Sequence, residues 1–188
     1  GIDVGSRSHN EAGNGTPLSR SEGKTNFSHF NFNTNYKFSP VDNYEVDLNA
    51  GGQYSLDDLL NSEQTSITGS NKLSGFTSGS ISGDEAWYIR GQLNRNYNVS
   101  NQIKLTPYVY GAAGVAYTLS PTAVEERATA AKSIGLGLKF QGLDKLFFQK
   151  TISGKVEYSK NWATGKLEDL SDVRLRKQHL LVLLAMNF

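Results

Sequence analysis

The 188 residues suffice for one domain with a sizeable core or barrel, and residues 1–188 are read as a single domain. Nineteen Lys and Arg against eighteen Asp and Glu leave a net charge of +1, which carries no nucleic-acid footprint. The absence of cysteine excludes disulfide frameworks and thiolate metal sites, so no cofactor or metal is expected. No apolar h-region follows Gly1, so no signal peptide is expected. No run approaches the roughly 20 apolar residues of a transmembrane helix, a test to which membrane strands are blind because their lipid-facing and lumen-facing residues alternate.

Alternation of period two, bounded by turn residues, recurs along the chain. A first strand is expected near Ile2–Ser8. In the second, Phe30, Phe32, Tyr36 and Phe38 alternate with His29, Asn31, Asn33, Asn35 and Lys37. Tyr44, Val46, Leu48 and Tyr54 then alternate with Glu45, Asp47, Asn49 and Gln53. Trp87, Ile89, Leu93 and Tyr97 alternate with Tyr88, Arg90, Gln92 and Asn94. Ile103, Leu105, Val109, Val115 and Tyr117 alternate with Thr106, Tyr108, Tyr110 and Ala112. Ile134, Leu136, Leu138 and Phe140 alternate with Ser133, Gly135, Gly137 and Lys139. Ile152, Val156, Tyr158 and Trp162 alternate with Ser153, Lys155, Glu157 and Ser159. The last strand sets Leu180, Val182, Leu184, Met186 and Phe188 against His179, Leu181, Leu183 and Ala185.

The connections alternate between short (Ser39–Asn43, Asn98–Gln102, Leu143–Phe148) and long (His9–Lys24, Asp57–Asp84, Ser120–Ala128, Ala163–Arg176). Tight periplasmic turns and long extracellular loops have this asymmetry in outer-membrane barrels. The expected fold is therefore all-β: an eight-stranded antiparallel transmembrane β-barrel, an up-and-down meander in the bacterial outer membrane. The interior of eight strands is just filled by side chains, and the aromatic face would overfill it, so that face is expected to point to lipid. Tyr44 and Tyr54, and Trp87 and Tyr97, are each ten residues apart on that face. Tilted, each pair spans roughly 25 Å, the height of the apolar band between aromatic girdles.

The order of several segments resembles the barrel of two-partner-secretion transporters, the TpsB or haemolysin-activator family. Gly52-Gln53-Tyr54-Ser55 followed by Leu59-Leu60-Asn61-Ser62-Glu63-Gln64 is similar to that family's entry into its longest loop. Ser82-Gly83-Asp84 with Ile89-Arg90-Gly91-Gln92-Leu93 is similar to its SGD…LRNEL. Leu105-Thr106-Pro107-Tyr108-Val109-Tyr110 and Ser133-Ile134-Gly135-Leu136-Gly137-Leu138 resemble its LTPYLF and SxGLGLR strands. Five strands follow the long loop here, as in the family's sixteen, so the resemblance implies the C-terminal half of such a barrel. It also implies a lock in which an arginine at the loop tip pairs with an aspartate on a later strand. The tip here is Leu73-Ser74-Gly75-Phe76, and the aspartate position holds Ala112, so both partners of that pair are absent. Asp57–Asp84 is accordingly expected to sit outside, above the outer rim, because an eight-stranded lumen has no room for a loop of that length.

Other candidates concern the lumen and the rim. Glu45, Asp47, Arg90, Lys139, Lys155 and Glu157 are expected in the lumen, where charges pair and plug. Lys132, Lys160, Lys166, Arg174, Arg176 and Lys177 gather at the outer ends of the last strands, as contacts for lipopolysaccharide phosphates or as solubilising charge. Phe188 would end the strand that barrel-assembly machinery recognises. Three scattered histidines, His9, His29 and His179, form no metal or catalytic pattern; His29 and His179 are expected to hydrogen-bond in the lumen, and no enzyme is expected. Membrane lipid, lipopolysaccharide, the assembly machinery and other outer-membrane or periplasmic proteins are the expected partners. Two functions stay open: a reduced barrel anchoring an outer-membrane, secretion-related assembly, or a polypeptide-translocating pore in which these strands form half of a sixteen-stranded barrel.

Overall fold

The computed structural model describes residues 2–8, 26–100, 103–121, 126–144, 150–164 and 177–187. Among these there is no helix. The wall consists of β1 (Ile2–Ser8), β2 (Asn26–Phe38), β3 (Tyr44–Ser55), β6 (Glu85–Arg95), β8 (Ile103–Tyr117), β9 (Ala128–Asp144), β10 (Lys150–Ala163) and β11 (Gln178–Asn187). Each pairs antiparallel with its neighbours in that order, and β7 (Tyr97–Ser100) continues β6 against β8. The expected antiparallel meander of eight strands is the one observed. Its registers are long: fourteen Cα pairs join β10 to β9, from Lys150↔Asp144 to Ala163↔Ala131. The β2–β3 turn is set by Asn43, whose φ of 66° lies in the left-handed region that asparagine tolerates.

Alternation in sequence becomes alternation in exposure. On β6, Trp87, Ile89 and Leu93 are exposed, while Arg90, Gln92 and Asn94 between them are buried. On β8, Val109 is exposed while Tyr108 and Tyr110 are buried. The apolar face is thus the convex one and the polar face the concave one. Glycines on β9 shape the concave wall. A Cβ at Gly135 would meet the Tyr110 ring, and one at Gly137 the Tyr108 ring, so two large rings lie flat against the wall where side chains are missing.

The sheet is strongly curled. Arg90 on β6 and Glu157 on β10 are three strand steps apart, about 14 Å in a flat sheet, yet they form an ion pair at 3.3 Å. A cavity of about 1020 Å³ in the concavity is bounded by Asn35 of β2 at one end of the order and Leu183 of β11 at the other.

The concavity is occupied by the long loop, which overturns the expectation that Asp57–Asp84 stands above the rim. Phe76, chosen as its marker, is 3% exposed. Leu59, Ile67, Leu73, Phe76 and Ile81 are all buried, four of them against Ala86, Ala112, Ala116, Ala131, Tyr108 and Tyr110 of the wall. Within the loop, β4 (Thr65–Ser66) and β5 (Ser82–Gly83) pair as a small sheet that the sequence pattern did not disclose. The curled wall encloses space that its own side chains do not fill, and the loop occupies part of it.

The convex face carries a direct test. Val109, 55% exposed at mid-strand, becomes unfavourable as arginine by about 2–3 kcal/mol if it meets lipid. A surface position in water would change by only ~0.5 kcal/mol or less. Denaturant unfolding of the Val109→Arg protein in lipid vesicles distinguishes the two.

Candidate functional site: the seat of the long loop

Two clusters hold the loop. The first is at its base. Asp84, fully buried, accepts from the backbone N–H of Leu59 at 3.0 Å and of Leu119 at 2.8 Å, and from Gln64 Nε2 at 3.3 Å. Gln53, at the top of β3, donates to the carbonyls of Glu63 (3.2 Å) and Asp84 (3.0 Å) and accepts from Thr65 Oγ1 at 2.7 Å. The polar residues of the Gly52–Gln64 and Ser82–Asp84 segments therefore tie both ends of the loop to the wall. Gly83 makes this approach possible, since a Cβ there would meet the Tyr117 backbone.

The second cluster holds the tip. Ser74 Oγ donates to Glu157 Oε1 and accepts from Arg90 Nη1 at 2.6 Å. Arg90 Nη2 pairs with Glu157 Oε2 at 3.3 Å, and Nη1 donates to the Lys72 carbonyl at 3.1 Å. Tyr108 Oη donates to Glu157 Oε2 at 2.6 Å, and Lys155 Nζ lies 3.5 Å from the same oxygen. The Arg90 guanidinium stacks 3.7 Å over the Tyr110 ring, a desolvated cation–π contact. Asn161 Nδ2 donates to the Gly75 carbonyl at 2.5 Å, and a Cβ at Gly75 would land on Asn161 Oδ1, so any larger residue there must displace the Asn161 side chain and its bond to the tip. Lys72 in the loop, its pKa lowered by burial, donates to the Ser66 carbonyl at 2.5 Å and lies over the Tyr88 ring.

Burying Glu157 at 1% exposure demands pairing and hydrogen bonding, and its oxygens receive both. Ser74 and Ala112 stand where the resemblance implies a charged pair. The charges sit instead on the wall, at Arg90 and Glu157, and the loop presents a hydroxyl that bridges them. Ala112, 7% exposed, is part of the apolar floor under Leu73 and Phe76.

Below the tip, a hydrogen-bonded chain descends β6: Arg90 Nη2 to Gln92 Oε1 (2.8 Å), then Gln92 Nε2 to Asn94 Oδ1 (2.6 Å). Glu45 Oε1 accepts from Asn94 Nδ2 at 3.4 Å, and Lys139 Nζ approaches Asn94 Oδ1 at 3.5 Å. Asp47 pairs with Lys37 at 3.4 Å and accepts from Asn35 at 2.7 Å. The six expected lumen charges thus all face the concavity, but only Arg90, Lys155 and Glu157 converge.

Of the rim cations, Lys132 and Lys160 flank Trp162 on the convex face, at 5.6 and 5.4 Å from its ring. Lys177 is exposed at the start of β11. Lys166, Arg174, Arg176, His9 and Phe188 lie outside the described residues. The expected lumen bonding of His29 and His179 is not met at Nδ1, which is buried without a hydrogen-bond partner among the described residues in both. Sequence reading missed Asp84, Gln53, Tyr108 and Asn161 as loop anchors. A usable signal was present: six large apolar residues, from Leu59 to Ile81, are spaced through a loop otherwise rich in Ser, Thr and Gly.

Residues 4–140 match the family model described as haemolysin secretion/activation protein ShlB/FhaC/HecB. No match was found among curated proteins or among solved structures.

Removing the carboxylate strands a buried guanidinium. Glu157→Ala should therefore destabilise the protein by about 3–5 kcal/mol, and Arg90→Ala/Glu157→Ala by less than the sum of its single changes. Gly75→Ala should leave the wall intact but expose Asp57–Asp84 to limited proteolysis. Equilibrium unfolding and the cleavage pattern check both.

Proposed function

Because the chain belongs to the haemolysin secretion/activation family ShlB/FhaC/HecB, we propose that its strands form one wall of an outer-membrane barrel that conducts a polypeptide, with Asp57–Asp84 as the internal plug. The observation that carries this reading is the seating of Ser74 between Arg90 and Glu157 on the concave face. An eight-stranded barrel closed on itself has an interior that side chains just fill. Here the concavity takes a 28-residue loop and still leaves a cavity of about 1020 Å³. That space suits the wider barrel implied by sixteen strands, to which β1 and β11 would contribute their outer edges.

The cavity under the plug is lined largely by amides and by charges of both signs, among them Asn35, Gln92, Asn94, Lys139, Glu45 and Asp47. Such groups hydrogen-bond an extended main chain without selecting its sequence, which suits a conduit for an unfolded secreted partner. The plug is held by hydrogen bonds to a wall-borne ion pair and by a small apolar core, so it can leave without separating two opposite charges. The reading of a reduced barrel serving only as an anchor rested in part on Ser74 and Ala112 lacking the charged pair. Arg90 and Glu157 offer another seat for the tip, which weakens that ground.

Planar-bilayer recording of the full-length protein tests the proposal. The wild type should rest mostly closed, and Ser74→Ala/Gly75→Ala should raise its mean conductance several-fold while migration in heat-modifiability gels stays that of a folded barrel. A folded variant whose loop is protease-accessible but whose conductance is unchanged would overturn it.

A further inference from the structure

The convex face is not uniformly bulky. Ile89, Gly111, Ala113, Lys132, Ile134 and Trp162 of the convex face border a depression of about 510 Å³ whose lining also includes the buried Ala112 and Ser133. Register explains its shape. One row across the strands reads Ile89↔Ala113↔Lys132↔Trp162, and the next Gly91↔Gly111↔Ile134↔Lys160. Small residues therefore form the floor between an Ile89 wall and an Ile134–Trp162 wall. A Cβ built on Gly111 meets no atom within 4 Å.

Lys132 and Lys160 flank Trp162 beside this depression, in the same two rows as its floor, and are exposed on the convex face. Among the described residues no acidic side chain pairs with either. Cations on a lipid-facing surface are disfavoured in a depth-dependent way, and near the interface they are stabilised by anionic headgroups. An apolar trough leading to two cations and an interfacial tryptophan is complementary to a molecule with an apolar tail and an anionic head.

We propose that this depression binds one phosphate-bearing lipid, an acyl chain lying over Gly111 and Ala113 and the headgroup phosphate pairing with Lys132 and Lys160. The site rests on the reading of the convex face as lipid-exposed, but not on any conduction through the lumen.

The chain has two tryptophans, so a Trp87→Phe background leaves Trp162 as the sole indole reporter. Full-length protein in nanodiscs of zwitterionic phosphatidylcholine is titrated with lipid A, with further phosphatidylcholine, and with inorganic phosphate. Lipid A should change Trp162 emission saturably, and the other two should not. Lys132→Gln/Lys160→Gln should weaken the response roughly tenfold, and Lys132→Arg/Lys160→Arg should retain it. Gly111→Leu, which fills the floor and keeps both lysines, should weaken it as well. Heat-modifiable migration verifies that each variant is folded. Equal response to inorganic phosphate, or lipid A binding indifferent to both the lysine and the glycine changes, overturns the site. Conductance of the same preparation separates the two proposals: lipid binding without conductance upholds the site against the transport reading, and conductance without lipid A binding does the reverse.

Discussion

The Glu157 carboxylate is the charge around which the concave face is organised. Buried in a curled sheet, it could not remain ionised without compensation. Arg90, Lys155, Tyr108 and Ser74 supply it from three wall strands and the loop tip. Arg90 can reach it only because the sheet bends through the intervening strands. The bend is accommodated where glycines on β9 let the Tyr108 and Tyr110 rings lie against the wall. Curvature, ion pair and loop seat are therefore one arrangement.

Placing both charges on the wall bears on how the proposed plug would leave. A tip arginine paired with a wall carboxylate would carry a charge away from its partner, stranding each in a low-dielectric space. Here the tip contributes a serine, and Arg90 and Glu157 stay together. What the loop gives up is a set of hydrogen bonds, the Asn161–Gly75 contact and the apolar packing of Leu73 and Phe76. The base is held differently: Asp84 accepts from the backbone N–H of Leu59 within the loop and of Leu119 just beyond β8. A base and a tip held by such different contacts are what the proposed plug would need in order to swing.

The convex face obeys a separate logic. Its residues answer to the surrounding solvent, so alternation there is legible directly from sequence. Its interruptions, Gly91, Gly111 and Ala113, become adjacent only through register, and so do the two lysines beside Trp162.

The strand pattern was readable in the sequence because a strand with one face on lipid and one on a polar interior must alternate with period two. On β6, β8 and β10 residue parity assigned the two faces, including the inward Arg90 and Glu157. Parity says nothing about how far a sheet curls or what lies inside it. Ser74 and Ala112, read alone, signified a lost lock, because the replacement partners are 16 and 83 residues from Ser74 in the chain. Their meeting depends on three strand pairings and on sheet curvature, and the loop's five buried apolar residues have a destination only once that concavity exists. Local physics along the chain thus decided the elements and their two faces, whereas the plug and its seat arose from long-range closure that no local pattern encodes.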